Sequence, residues 1–194
     1  MLRTCFVQQI PHLFASVVLA LPLFASAQVS VVSRNQALYT QDVFNYAGSR
    51  MMMVDEVNIA GSEDNIYIFS KPNAGSSPDV LYFQQYQKVD GKFKRTLLHA
   101  ITHDGLLSVW KSRKVFTDAD KDRRVDAFFV YSKHTANKTQ TSTHMLISHN
   151  GVVYTLGASK ADDYMATAMS ENFGKLDALV KEAALKYWTS LDKE

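Results

Sequence analysis

Residues 79–103 read DVLYFQQYQKVDGKFKRTLLHAITH and contain the pattern that decides the fold. Two runs rich in aliphatic and aromatic residues, 79–89 and 92–103, flank the pair Asp90-Gly91. Asp-Gly pairs tolerate the positive φ angles of tight hairpin turns, whose twist matches that of paired strands. The stretch therefore predicts a β-hairpin.

The same pattern recurs along the rest of the chain. Two further Asx-Gly pairs, at 104–105 and 150–151, lie between apolar runs. The remaining strand candidates are MMMVDEVNI (51–59), NIYIFSK (65–71), the run 106–116, HMLISH (144–149) and VVYTLGA (152–158). Because these candidates follow one another without intervening helical segments, the sequence predicts a meander of antiparallel hairpins.

The spacing of apolar residues changes to a helical period near the C-terminus. The apolar positions are Phe173, Leu176, Leu179, Val180, Ala183, Ala184, Tyr187 and Trp188. This stripe predicts an amphipathic helix over 171–189, with Ser170 as its N-cap and with Tyr187 and Trp188 packed on the sheet. The predicted fold class is therefore α+β, a mainly antiparallel β-sheet with a C-terminal amphipathic helix packed on it.

The first 27 residues have the three parts of a secretory signal peptide. Arg3 supplies a positive charge, residues 13–24 form an apolar run, and Ala25-Ser26-Ala27 is a cleavage site of the A-x-A type. The apolar run is shorter than the ~20 residues that a membrane-spanning helix needs. We therefore expect cleavage after Ala27 and a single β-rich domain over 28–194 that is periplasmic or secreted, with no membrane association after cleavage.

Composition excludes several classes of chemistry and partner. Cys5, the one cysteine, lies in the predicted signal peptide, so the mature chain is expected to contain neither disulfides nor thiolate metal sites. The chain has a formal net charge of +2 and no basic stripe, and we therefore expect no nucleic-acid partner. No Gly-rich phosphate loop and no nucleophile elbow is present in the sequence.

The segment 116–131, FTDADKDRRVDAFFVY, contains the residues with the most specific chemistry. Four carboxylates match positions 1, 3, 5 and 9 of a Ca²⁺-binding loop: Asp118, Asp120, Asp122 and Asp126. The backbone carbonyl of Arg124 would be the ligand at position 7. An all-oxygen ligand set favours Ca²⁺. Val125 is expected to point into the core, ahead of a buried strand AFFVY.

An alternative to the metal site is a solvated, salt-bridged turn. Position 6 is Arg123, where Ca²⁺ loops usually have glycine because the backbone turns sharply there. Lys121, Arg123 and Arg124 place three cations around the four acids and could neutralise them without an ion. Position 12 is Phe129, so the bidentate Glu of a helix–loop–helix site is missing.

The acidic segment and the strand after it resemble the D-x-D-x-D-G-x-x-[DE] turns of calcium-binding β-propeller and related secreted repeat proteins. The chain from 50 to 190 also resembles a family of exported bacterial proteins of uncertain function, some of which are labelled as surface polysaccharide biosynthesis proteins. The segments that carry this second resemblance are Asn65–Ile68, the acidic loop 118–126 with Phe128–Tyr131, His144–Leu146, Gly151–Tyr154 and Tyr187-Trp188. It implies an exported, envelope-associated protein.

The sequence favours a non-enzymatic exported domain that is stabilised by Ca²⁺ and binds an extracellular ligand, either a glycan or a protein. The alternative is a hydrolase or transferase of envelope polysaccharide, which would need two carboxylates facing each other across a cleft. A purely structural component, without any concave pocket, is a third hypothesis. Aromatic residues that alternate on the predicted strands, such as Tyr67, Tyr82, Phe83 and Tyr86, are expected to be core residues rather than a platform for a sugar.

Overall fold

The computed structural model describes residues 29–32, 36–59 and 64–194. The predicted signal peptide lies outside these residues. The first sheet consists of β1 (Val29–Val32), β2 (Arg50–Ile59), β3 (Asn65–Lys71), β4 (Asp79–Val89) and β5 (Lys92–His103). The second consists of β6 (Leu106–Thr117), β7 (Asp126–His134), β8 (Gln140–His149), β9 (Val152–Ser159) and β10 (Ala168–Met169). The helices are α1 (Gln41–Phe44) and α2 (Ala178–Ser190), with 3₁₀ turns at Gln36–Leu38, Lys160–Asp162 and Glu171–Lys175.

Each sheet is an antiparallel meander. The strand orders are β1-β2-β3-β4-β5 and β10-β9-β8-β7-β6, so paired strands are neighbours in the chain. Asp90-Gly91 and Asn150-Gly151 form the predicted hairpin turns, and all four of these residues have positive φ angles. The predicted fold class, mainly antiparallel sheet with a C-terminal helix, is confirmed.

The third Asx-Gly pair connects the two sheets instead of forming a hairpin. β5 and β6 belong to different sheets, and the chain crosses between them at Asp104-Gly105. A Cβ atom on Gly105 would lie 1.9 Å from the backbone oxygen of His134, so this crossing requires the absence of a side chain. The sequence predicted the turn but not the change of sheet.

The main core lies between the two sheets. Their inner faces bury a group of contacting aromatic rings, which consists of Tyr67, Phe69, Phe83, Phe116 and Phe129. Tyr67, Phe83 and Tyr86 are buried as predicted, whereas Tyr82 is half-buried. The aromatic residues of the central strands therefore serve packing.

Each outer face is covered by a helix. α1 packs through Phe44 on the outer face of the first sheet, and α2 packs through Val180, Ala184 and Trp188 on that of the second. The molecule is thus layered in the order helix, sheet, sheet, helix. Within the described residues, no helix has both the length and the apolar composition needed to cross a membrane.

Candidate metal centre

The loop between β6 and β7 brings together three of the four predicted carboxylates. One oxygen each from Asp118, Asp120 and Asp122 lies within 4.8 Å of the other two. Asp118 and Asp120 are half-buried and Asp122 is exposed. Carboxylates on alternate residues of a tight loop therefore face one point, as positions 1, 3 and 5 of a Ca²⁺ loop do. We call residues 118–126 the acidic loop.

Backbone amides give the acidic loop its shape. The side chain of Asp118 accepts a hydrogen bond from the amide of Arg123 (3.3 Å), and that of Asp122 accepts one from the amide of Arg124 (2.8 Å). Arg123 has φ +66°, the left-handed conformation that glycine adopts at this position in Ca²⁺ loops. An L-residue in this conformation costs about 1–2 kcal/mol.

Buried residues attach the acidic loop to the sheet. Val125 is 5% exposed and packs in the main core, as predicted. The following strand β7 is buried from Asp126 through Ser132, which confirms that AFFVY is a buried strand. The carboxylates are therefore held on a rigid support.

Asp126 has a different environment from the other three acids. Its side chain is 1% exposed, and its Oδ1 lies 2.7 Å from Nδ1 of His149, while its Oδ2 accepts a hydrogen bond from the amide of Ala119 (2.8 Å). The predicted position-9 ligand is thus paired with a histidine on β8. The role of the backbone carbonyl of Arg124 as a ligand stays a prediction.

The turn between β8 and β9 is bonded to the acidic loop. Nδ2 of Asn150 lies 3.1 Å from Oδ2 of Asp122 and 3.2 Å from Nε2 of His149. The guanidinium of Arg124 donates to Oδ1 of Asn150 (3.2 Å). These distances fit a neutral imidazole that donates from Nδ1 to Asp126 and accepts at Nε2. His149 and Asn150 were not identified as site residues from the sequence, because strand pairing alone brings them to the loop.

Burial dominates the electrostatics of the site. Desolvation raises the pKa of Asp126 to about 6, although hydrogen bonds from His149 and Ala119 act in the opposite direction. Partial desolvation also raises the pKa of Asp118, and the negative charges of Asp122 and Asp120 add to that shift. The phenol of Tyr67 is buried in the core beside this site, and burial together with the charge of Asp126 raises its pKa. Burial is therefore the main cause of the raised carboxyl pKa values at this site.

The three converging carboxylates have no direct lysine or arginine side-chain partner among the described residues. Among the residues that the structure describes, no lysine or arginine side-chain nitrogen lies within 4.0 Å of a carboxylate oxygen of Asp118, Asp120 or Asp122, while Nε2 of His149 lies 4.0 Å from Oδ2 of Asp120. Lys121, Arg123 and Arg124 are exposed. The choice between a metal site and a solvated turn therefore rests on whether the acidic loop binds an ion, which stays a prediction.

A polar cleft lies beside the acidic loop. It has a volume of about 510 Å³. We call it the amide cleft, and its polar lining includes Asn65, Gln85, Gln87, Arg123, Arg124 and Asn150. Asp122 is the one carboxylate among its lining residues. The cleft therefore combines side-chain amides from the first sheet with charged groups from the acidic loop.

Comparison with known proteins identifies no relative of this chain. It matches no protein-family model, and searches of curated proteins and of solved structures give no significant match.

Proposed function

We propose that the acidic loop binds Ca²⁺ as a structural ion, in an exported, non-enzymatic domain that binds an extracellular ligand. The observation that carries the metal proposal is the convergence of Asp118, Asp120 and Asp122 within 4.8 Å, without a lysine or arginine partner among the described residues. Two like charges 4 Å apart repel by about 1 kcal/mol in water and by about 4 kcal/mol at an effective dielectric of 20. A divalent cation would convert this repulsion into attraction.

The ligand types favour calcium over other metals. The three side chains offer carboxylate oxygens, and Ca²⁺ accepts six to eight oxygen ligands at flexible angles. Asp126 and the carbonyl of Arg124 remain our proposed additional ligands, Asp126 acting through a water molecule as is common at position 9. Extracellular Ca²⁺ sites have dissociation constants of about 10⁻⁴–10⁻³ M, so a weak site is filled outside the cell.

The proposed role is structural because of what the acidic loop connects. Asp126 bonds to His149 and Asp122 bonds to Asn150, so the loop after β6 is linked to the turn after β8. An ion that fixes the loop would also fix this end of the second sheet and one wall of the amide cleft. The resemblance to exported bacterial proteins and the predicted cleavage after Ala27 remain part of the proposal.

The alternative function, a hydrolase or transferase of envelope polysaccharide, has less support. Glycoside hydrolysis usually needs two carboxylates about 5–9.5 Å apart on either side of the substrate. The amide cleft has one, Asp122, which already accepts hydrogen bonds from Asn150 and Arg124. The presence of a cleft next to the acidic loop supports a ligand-binding domain over a component without a pocket.

A melting experiment tests the calcium proposal. Ca²⁺ at about 100 times the dissociation constant stabilises a folded protein by about 2.7 kcal/mol, which corresponds to a rise of several degrees in Tm for a domain of this size. We expect this rise on addition of Ca²⁺, its reversal by EDTA, and its loss in Asp120→Asn. Asp163→Asn is the matched control, since Asp163 is an exposed turn aspartate outside the acidic loop. A wild-type Tm that is the same in Ca²⁺ and in EDTA would refute the proposal.

A further inference from the structure

The amide cleft is located where the inner face of the first sheet changes from apolar to polar. Along β4 the side chains on this face are Leu81 and Phe83, which are buried in the main core, and then Gln85 and Gln87, which line the cleft. Hydrophobic packing between two sheets would place apolar residues at all of these positions. The chain instead places carboxamides at the end of the core beside the acidic loop.

These carboxamides form a preorganised polar wall. The Nε2 atoms of Gln85 and Gln87 donate to Oδ1 of Asn65 at 3.0 and 3.2 Å. Gln85 and Asn65 are 7% and 3% exposed, so both amides are held in fixed orientations within the protein. Burial of a polar group costs free energy unless it is hydrogen-bonded, and the bonds among these three side chains meet that requirement. Because a carboxamide both donates and accepts hydrogen bonds, such a wall suits a ligand with several hydroxyl groups.

The acidic loop contributes two cations and one anion to the lining of the cleft. Arg123 and Arg124 line the cleft together with one carboxylate, Asp122. Within the described residues, the guanidinium of Arg123 has no hydrogen-bond or ion-pair partner, and that of Arg124 donates once, to Asn150. A guanidinium offers five donors in a plane that matches a carboxylate.

We infer that the amide cleft binds an acidic saccharide, a sugar unit that carries a carboxylate beside its hydroxyl groups. The carboxylate pairs with Arg123 and Arg124, and the hydroxyls bond to the wall formed by Asn65, Gln85 and Gln87. The volume of about 510 Å³ is within the range of ~300–1,000 Å³ that is usual for small-molecule sites. This inference rests on the proposed ligand-binding function and names the class of its ligand.

Two matched sugars test the inference on the purified protein in Ca²⁺-containing buffer. Methyl glucuronoside and methyl glucoside differ in one carboxylate, and their binding is measured by NMR titration. We expect the glucuronoside to bind at least about tenfold more tightly than the glucoside, since hydrogen bonds to charged groups contribute about 10- to 100-fold. Gln87→Leu is expected to weaken the glucuronoside complex as well. Equal binding of both sugars, or no binding of the glucuronoside, would overturn the inference.

Two variants separate the cleft from the calcium site. Arg123→Gly removes a cleft cation and should weaken glucuronoside binding about tenfold or more, while its Ca²⁺-dependent rise in Tm is retained because glycine adopts this positive φ and none of the proposed ligands is changed. Lys121→Gly is the control, because Lys121 also has a positive φ and one charge in the same loop but does not line the cleft. Equal effects of the two variants on sugar binding would refute a specific site. If wild type binds the glucuronoside but ignores EDTA, the calcium proposal alone fails.

Discussion

His144 is a partly enclosed imidazole whose protonation opposes folding. It stacks on Tyr131 with ring centroids 5.0 Å apart, and its Nε2 lies 2.9 Å from the hydroxyl of Ser142. Gly157 provides the space for the ring, since a Cβ atom there would lie 2.5 Å from Nδ1 of His144. Desolvation lowers the pKa of His144 from its ordinary 6.5 to about 4, and the charges of Lys133 and His103 add to this shift.

This shift predicts a loss of stability in mild acid. Between pH 6.5 and about 4 the unfolded chain binds a proton at His144 that the folded chain does not bind, so the contribution of His144 to the free energy of unfolding falls as the pH falls. Each pKa unit corresponds to about 1.4 kcal/mol, which gives a loss of at most about 3 kcal/mol over this range. Urea denaturation at several pH values should show a smaller loss in His144→Phe, which keeps an aromatic ring against Tyr131. A variant curve parallel to that of wild type would contradict the assignment.

Some residues of the metal site could be predicted individually from the sequence, and others could not. Asp118, Asp120 and Asp122 could be predicted to converge because alternate residues of one tight turn determine their geometry locally. The partnership of Asp126 with His149 could not, since it depends on the register of β7 against β8, in which Ala127 pairs with Ser148. Register follows from the packing of whole strands, and nothing in the local sequence encodes it.

At the level of elements, the apolar stripe near the C-terminus predicted that a helix is present but not the residue at which α2 begins. The stripe predicted one helix over 171–189, whereas the structure has a 3₁₀ turn at Glu171–Lys175 and an α-helix from Ala178 to Ser190. Leu176 lies between the 3₁₀ turn and α2. Its backbone is extended, and its side chain is buried in the cluster between α2 and the second sheet. Asp177 is the N-cap of α2 and accepts hydrogen bonds from the amides of Leu179 and Val180. Ser170, the predicted cap, is the N-cap residue of the 3₁₀ turn, but its side chain donates to Asn172 and forms no capping hydrogen bond.

The cap of α2 yields a prediction about stability. Asp177→Ala removes the acceptor for two helix N–H groups and should lower the free energy of unfolding by about 1 kcal/mol. Asp177→Asn keeps a capping oxygen and is expected to stay close to wild type. Urea denaturation followed by tryptophan fluorescence measures both, since Trp188 lies on the buried face of α2. Equal losses in the two variants would show that the charge, and not the cap, is important.

Strand β6 shows a change of face that the sequence pattern does not reveal. Val109 pairs with Tyr131 and Lys114 pairs with Phe129, so the chain inserts extra residues between these two pairs. Leu107 and Val109 face the main core before this bulge, whereas Phe116 packs against that core after it. A simple alternation over 106–116 would put odd-numbered residues inside throughout, and bulges are the usual reason why such alternation fails.

At the scale of the whole molecule, the sequence predicted a turn at Asp104-Gly105 but not that the chain crosses there from one sheet to the other. The second sheet is attached to the first by a buried ion pair close to that crossing. Lys71 on β3 forms an ion pair with Asp79 on β4, and it also donates to the backbone oxygen of Leu107 on β6 (2.6 Å). The amide of Leu107 in turn donates to Asp79 (2.8 Å). Strands β3 and β4 of the first sheet are thus both hydrogen-bonded to β6 of the second sheet.

Loss of one member of this pair should weaken the whole fold. Lys71→Met leaves the carboxylate of Asp79 buried without its countercharge, and removal of one partner of a buried pair typically costs about 3–5 kcal/mol. Because the sheets share one core, circular dichroism and tryptophan fluorescence should report one coincident urea transition at a lower midpoint.

The double variant Lys71→Met/Asp79→Asn distinguishes a charge effect from lost packing. The introduced carboxamide is neutral and retains an oxygen that can accept from the amide of Leu107, so the second substitution should recover part of the stability lost in the first. If the pair acts only through its packing volume, the second substitution would restore nothing, and the losses would be additive. If fluorescence instead precedes circular dichroism in Lys71→Met, the two sheets unfold separately, because Trp110 and Trp188 both report on the side of the molecule covered by α2.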